Sequence, residues 1–466
     1  MSEKTRIAVI GAGFSGVVTA AHLLRAGCSV TLINRSGRMA RGVAYGTNTP
    51  AHVLNVPAGR MSAFPGDEDS FLRFVRERDQ SVTGGSFVPR SAYGEYLDQI
   101  LSEAEENAPA HATLERIVGH VADIDTRTGN GASASVTLAD GRRVHAERVV
   151  LALGNFAPAD PPVDNRSFYS SARYVRDPWA PGALDSVIPE DSILLIGTGL
   201  TMCDITLELD QRGVREPIHA ISRRGLLAQS HRAQAHPPTY ENFPDDLDRG
   251  PATVLSYLRA VRSEIAAHSA AGGDWRDVIA SLRPATPALW KALSESERAR
   301  FVRHLLPFWD VHRHRAAPDA AAATAQLLRD GRLVVAAGRI IAFDEGASSV
   351  RVTWRPRGAA QPQDSEFTRV INCTGPSSNL ASAGEPLVDK LIERGVLTTD
   401  ALRLGVRVSR DGALISSDGT ASGVIFYVGP LLRAEYWEAT AVPELRVHAA
   451  RLATHLCKTL AANAGH

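Results

Sequence analysis

Apolar residues fall into two kinds of run along this chain: short continuous stretches and longer ones with helical spacing. Arg6 to Ile10 is a short apolar run that enters Gly11-Ala-Gly-Phe-Ser-Gly16. Val, Ala and Leu then recur at helical spacing from Val17 to Arg25, Gly27 closes that segment, and Cys28 to Ile33 is apolar again. The pattern predicts strand, glycine turn, helix and strand. The same order returns later. Ser192 to Ile196 predicts a strand, Gly197-Thr-Gly-Leu-Thr-Met202 a turn, Cys203 to Arg212 a helix ended by Gly213, and Ile218 to Ser222 the next strand. Arg148 to Gly154 and Arg369 to Gly375 are apolar runs ending in small-residue turns. Tyr240 to Leu328 is mostly helical in spacing. Val424 to Gly429 predicts a last strand, and Val442-Pro-Glu444 opens a last helix, with proline in its first turn and a carboxylate at its positive end.

These elements predict an α/β chain of two Rossmann-like dinucleotide-binding domains with a helical insertion. The expected division is 1–160 for the first part of one domain, 161–338 for the second domain with the insertion at about 240–328, and 339–466 for the return to the first. Pro158 to Pro162 is the expected first hinge and Arg339 to Phe343 the expected way back.

The glycine turns carry the chemistry. In Gly11, Gly13 and Gly16 the first glycine serves a tight turn, the second admits a pyrophosphate close to the backbone, and the third lets helix and strand pack closely. The free amides of Phe14, Ser15 and Gly16, with the helix dipole, are expected to hold the phosphates of FAD. Gly197 and Gly199, followed by Leu200 and Thr201, repeat the arrangement for a nicotinamide dinucleotide. Met202 stands in place of the third glycine, so looser packing is expected there. Gly154 and Gly375 close the two crossings between domains beside these cofactors.

An acid usually ends the second strand and binds the adenosine ribose. Asn34 stands there, able to hydrogen-bond without a charge, and Arg35 follows it. After the later strand come Arg223 and Arg224, whose guanidiniums can fork onto a 2′-phosphate; a solvated charge pair is the plainer reading. NADPH is expected as the donor, with NADH possible.

Composition narrows the partners. The 466 residues are 44% hydrophobic and 22% charged, with 51 Lys plus Arg against 51 Asp plus Glu. Such a balance gives no net field toward nucleic acid or anionic membranes. No apolar run is long enough to cross a bilayer, and Met1 to Arg6 lacks an export pattern, so a cytoplasmic protein is expected. Cys28, Cys203, Cys373 and Cys457 form no CxxC pair and are expected to be small buried residues. His312 and His314 offer two nitrogens but no third ligand, so no metal is expected.

The paired glycine motifs and Gly-ended strands resemble two-dinucleotide-binding flavoproteins. Nearly end to end, the chain is similar to bacterial FAD/NAD(P)-binding proteins, through Gly42-Val-Ala-Tyr-Gly46, His52-Val-Leu-Asn-Val-Pro57, Trp309-Asp-Val-His-Arg-His-Arg315 and Trp437-Glu-Ala-Thr-Ala-Val-Pro-Glu-Leu-Arg446. More distantly, Asn55-Val-Pro-Ala-Gly-Arg-Met61-Ser-Ala-Phe-Pro65 resembles a stretch of class B flavin monooxygenases. That resemblance implies a catalytic Asn55 beside the flavin, holding its oxygen adduct; a turn-capping Asn is the alternative. Phe168 to Pro178 carries no His where those enzymes have a His-containing signature. Gly429, Trp437 and Glu438 are expected near the flavin ring, or else in a capped helix with a buried Trp. Arg313 and Arg315 are expected to bind an anionic substrate group or the NADPH phosphates, or else to form a solvated helix face.

The function implied is FAD-dependent, NAD(P)H-using oxidation, with a flavin hydroperoxide delivering oxygen to a nitrogen or sulfur of a small, anionic, amino-acid-like substrate. A dehydrogenase or oxidase passing electrons to a quinone, a carrier or oxygen, and a non-catalytic flavin-binding sensor, are the alternatives. The sequence leaves the oligomeric state open.

Overall fold

The computed structural model describes residues 6–47, 49–127, 129, 131–233 and 246–464. Most of the polar lead-in, Met1 to Thr5, and the expected opening of the helical stretch, Tyr240 to Asp245, lie outside them.

Two parallel-cored sheets organise the chain. In the first, Arg6–Ile10 lies between Ser29–Asn34 and Arg148–Leu151; Leu114–Val118 extends one side and Ala421–Tyr427 the other, all parallel, with Ala413–Ile415 as an antiparallel edge. Successive strand residues point to opposite faces. Ile7, Val9, Val30, Leu32 and Val150 meet the helices Phe14–Arg25, Arg90–Glu106 and Val442–Ala464 on one face. Ala8, Ile10, Ile33, Val149 and Leu151 face a three-stranded antiparallel layer, Val121–Arg127, Ser133–Leu138 and Arg143–Ala146, on the other. Cys28 and Cys457 meet between strand and C-terminal helix, their sulfurs 3.0 Å apart.

The second sheet runs, from one edge, Gln363–Phe367, Val350–Pro356, Leu333–Glu345, Ile218–Ser222, Ile193–Ile196, Arg369–Asn372 and Tyr174–Val175. Its middle is parallel and its first two strands are an antiparallel extension. Two expectations shift here. Arg339 to Phe343 is not the way back, because it lies inside the long strand Leu333–Glu345 of the second sheet; the chain crosses only after Asn372. The helix Pro318–Arg329 is not inserted either. Thr324 and Leu327 are buried, Leu327 within the second domain's core, so the helix is that domain's own crossover to Leu333–Glu345, and the insertion ends before it.

The two crossings touch. Phe156 and Ser377 form an antiparallel bridge, and Asn372 donates its amide to the Ala159 carbonyl at 3.0 Å. Two largely buried contacts between polar side chains also tie the domains together. Arg90 Nη2 meets Asp204 Oδ2 at 2.6 Å, and His52 Nε2 lies 3.2 Å from Glu208 Oε2. Among the described residues no helix is long and apolar enough to cross a membrane.

Candidate functional site

The two glycine turns fold alike. Gly11 has φ +104° and donates to the Ile33 carbonyl at 2.8 Å; Gly197 has φ +112° and donates to Ile221 at 2.8 Å. Positive φ of this kind favours glycine. A Cβ would meet the Ala152 carbonyl oxygen 2.1 Å from Gly11, or that of Cys373 2.5 Å from Gly197. Each turn is thus wedged against one of the crossings. Gly13 (φ −83°, ψ −168°) and Gly199 (φ −85°, ψ −163°) then begin the helices Phe14–Arg25 and Leu200–Gln211. Neither helix has a side-chain cap or an acid in its first turn, so the N–H groups of Phe14, Ser15 and Gly16, and of Leu200 and Thr201, keep no acidic partner from their own helix. A Cβ on Gly199 would meet nothing within 4 Å, and one on Gly13 only the Gly42 Cα at 3.7 Å. These are open, electropositive cradles, and they fit dinucleotide phosphates. Met202 does not leave the second turn loose: the side chain is fully buried in the core and takes a hydrogen bond from Thr206 at 3.4 Å.

The second cradle opens into a cavity of about 390 Å³. Gly197 to Thr201 form one wall, the crossings contribute Asn155 and Gly375, and Pro430, Trp437 and Glu438 come from the C-terminal segment. That volume falls within the range of small-molecule sites. Gly375 (φ +86°) and Gly154 (φ +70°) have open space where a Cβ would be. Gly429 (φ +146°) turns the chain from the last strand toward Pro430.

Trp437 lines the cavity and is buried in an aromatic cluster, stacked on Trp290 at 4.4 Å with Arg433 4.1 Å above it. Glu438 accepts from Trp309 Nε1 at 2.9 Å, and its second oxygen lies 3.0 Å from Arg313 Nε. Burial pushes the Glu438 carboxyl up, but the Arg313 guanidinium and the Trp309 bond outweigh it, so it stays ionised.

Asp310, not singled out from the sequence, also faces the cavity. Burial raises its carboxyl to about 6, with Arg433 opposing and Glu438 adding to the rise. Its environment, not its sequence neighbours, makes it distinctive. His314, 3.8 Å from Asp310, is pushed down to about 4, first by burial, and is neutral at ordinary pH.

Other expected residues are engaged elsewhere. Asn34 gives its amide hydrogens to Ser36 Oγ at 3.1 Å and the Arg38 carbonyl at 2.9 Å, capping its own turn. Arg35 pairs with Glu385 at 2.5 Å. Arg224 lies 5.5 Å over the Phe308 ring, while Arg223 is exposed. Both follow Ser222, whose hydroxyl is 2.8 Å from Thr198 Oγ1, so they leave the strand beside the second cradle. Asn55 offers its backbone carbonyl to His231 Nε2 at 3.0 Å, and its side-chain amide has no hydrogen bond among the described residues. His312 donates Nδ1–H to the Phe308 carbonyl at 2.7 Å.

Residues 8–156 match the model of a protein family described as FAD-NAD(P)-binding. Among solved structures, the ornithine N-hydroxylase of Kutzneria sp. 744, with reduced FAD, NADP+ and L-ornithine, superposes with a TM-score of 0.65 at 14% identity, over 97% of this chain and 99% of its own. The ornithine hydroxylase of Pseudomonas aeruginosa gives 0.65 at 15% identity, over 98% and 99%. The L-lysine 6-monooxygenase of Pseudomonas syringae gives 0.63 at 18%, over 97% and 99%. At these identities the likeness establishes a shared fold.

Proposed function

We propose that this protein is an FAD-dependent, NADPH-using monooxygenase that oxygenates a nitrogen or sulfur of a small, anionic, amino-acid-like molecule. One observation carries the reading: a second uncapped glycine turn, matched in angles to the first, opens into a cavity shared with the crossings and the C-terminal segment. Fold relatives named as an ornithine N-hydroxylase, an L-lysine 6-monooxygenase and a cadaverine monooxygenase support nitrogen as the target.

FAD on the first turn and NADPH on the second would together supply hydride transfer and oxygen activation. The chain's own part is binding, orientation and exclusion of water. Gly13 and the amides after it cradle the FAD pyrophosphate; Gly199, Leu200 and Thr201 do so for the nicotinamide dinucleotide, with Arg223 and Arg224 on its 2′-phosphate. Asn55 presents a free amide held in place through its backbone by His231. Arg313 and Arg315 are the substrate-facing cations. Oxygen is the co-substrate.

Three measurements test this reading. NADPH consumption should depend on oxygen, and with the right substrate little peroxide should be released; stoichiometric peroxide under all conditions would identify an oxidase instead. Replacing Arg223 and Arg224 together by Ala should raise KM for NADPH by roughly tenfold, about 1.4 kcal/mol, with KM for NADH unchanged. An equal effect on both donors removes these residues from phosphate binding. Asn55→Ala should release several-fold more peroxide per NADPH while flavin content holds, and unaltered coupling would return Asn55 to a turn-forming role.

A further inference from the structure

The basic cluster around Arg313 has a charge balance that specifies more than an anion. Four of its guanidiniums are already matched. Arg283 forks onto Glu444, with Nη2 to Oε2 at 2.7 Å; Arg276 meets Asp274 at 3.0 Å; Arg232 meets Asp277 at 2.7 Å; and Arg313 meets Glu438 at 3.0 Å. Arg315 and Arg60 make no ion pair among the described residues. Arg315 stands 5.8 Å over the Trp275 ring, its Nε buried without an acceptor. Arg313 is itself incompletely satisfied: its Nε lies off the hydrogen-bond direction of Glu438, and Nη2 is buried without an acceptor, in a side chain only 13% exposed. Buried guanidinium N–H groups without acceptors are costly. They belong to a cluster in which cations already repel one another. Burial and then Arg313, Arg276 and Arg232 hold the Arg315 guanidinium down to about 10, and partial burial, then Arg283 and Arg313, act in the same direction on Arg60.

The backbone brings this cluster to Asn55. His231 donates its amide to the Ala316 carbonyl at 2.9 Å, directly after Arg315, and the Arg276 guanidinium holds the Ser230 carbonyl at 2.9 Å. The His231 ring, pushed down to about 4 by burial, Arg315 and other nearby cations, is neutral and donates Nε2–H to Asn55. Arg60 follows in the same segment as Asn55, within the 3-10 turn Ala58–Arg60.

We propose that the molecule bound here is an amino dicarboxylate: one carboxylate for Arg315, with the idle N–H of Arg313 beside it, a second for Arg60, and an amine directed toward Asn55. This rests on the oxygenation reading only for the amine; the unmatched guanidiniums of the half-buried Arg315 and the more exposed Arg60 favour two anionic groups whatever the reaction. A diamine, or an amino acid with a cationic side chain, would add positive charge to a site that already has an excess.

Isothermal calorimetry on the FAD-loaded protein, without NADPH, tests this with L-aspartate, L-glutamate, L-ornithine and cadaverine. At least one acidic amino acid should bind on the order of 30-fold more tightly than ornithine (about 2 kcal/mol), with affinity falling as salt rises. Arg315→Gln and Arg60→Gln should each weaken it roughly tenfold and retain flavin, and Arg315→Lys should recover part of the loss. Ornithine or cadaverine binding as well as the acidic amino acids, or Gln variants with undiminished affinity for them, would overturn the proposal. Because the heat of binding needs neither hydride nor oxygen, a protein that binds these acids yet oxygenates nothing keeps the site and loses only the reaction.

Discussion

Gly13→Ala gives a folded protein without its yellow colour. The added methyl finds only the Gly42 Cα at 3.7 Å, ordinary van der Waals contact, and φ −83° suits alanine as well as glycine. Folding stability should therefore stay within about 0.5 kcal/mol of the parent, as for a substitution that disturbs no packing. The same methyl occupies the space that a pyrophosphate needs above the amides of Phe14, Ser15 and Gly16, so FAD should bind at least ~100-fold more weakly, about 2.7 kcal/mol. Gly16→Ala is the contrasting control. Its Cβ would stand 1.9 Å from the Gly11 carbonyl oxygen, a backbone atom that cannot move aside, and roughly 3 kcal/mol of stability should be lost. Flavin absorbance after gel filtration and the thermal midpoint together separate the two outcomes. A yellow Gly13→Ala protein would remove the first turn from cofactor binding.

What could be read from the sequence was local. A residue that needs positive φ and no Cβ declares itself within a few positions, and both glycine turns, their strands and their helices lie where the apolar spacing puts them. What could not be read depends on partners far along the chain. Arg35 lies next to the ribose position in sequence, yet its charge is taken by Glu385. Leu333–Glu345 reads along its length like any half-buried strand, and spacing alone does not say which sheet it joins; its parallel pairing with Ile218–Ser222 decides that. Asp310 is one acid among many until Arg433 and Glu438 surround it. Arg60 and Arg315 are basic residues in two separate motifs; Arg60 shares the segment of Asn55, and only the pairing of Ser230 with Ala316, with His231 on the Asn55 carbonyl, brings the Arg315 segment to it. The chemistry of binding phosphate was thus legible, while the chemistry of selecting a substrate was assembled by folding.

The second large effect concerns the geometry between the domains. Arg90 begins the helix Arg90–Glu106 of the first domain, holds the Val53 carbonyl through Nε at 3.0 Å, and reaches Asp204 in the glycine-turn helix of the second. Both side chains are buried, 13% and 6% exposed. Arg90→Ala should therefore cost roughly 3–5 kcal/mol, the range for stranding one partner of a buried pair, whereas a double replacement by Met at 90 and Leu at 204 should recover most of it. The pH dependence has a definite sign. Burial already raises the Asp204 carboxyl above its ordinary 3.8, against the pull of Arg90 and His52. A raised carboxyl favours folding in its protonated form, so in Arg90→Ala the deficit is largest at neutral pH. It should shrink as pH falls toward the raised value, measured as the gap in unfolding free energy between variant and parent. Function should follow geometry more than stability. Arg90 holds the segment that leads from His52 to Asn55, and the partners of Arg90 and His52, Asp204 and Glu208, follow the second cradle on its own helix. A small rotation there would misplace the nicotinamide relative to the flavin, and the rate of flavin reduction should drop at least about tenfold, given how steeply rates depend on alignment. The Met–Leu protein separates the two contributions: restored stability with slow flavin reduction shows that the ion pair sets orientation, and restoration of both reduces it to packing.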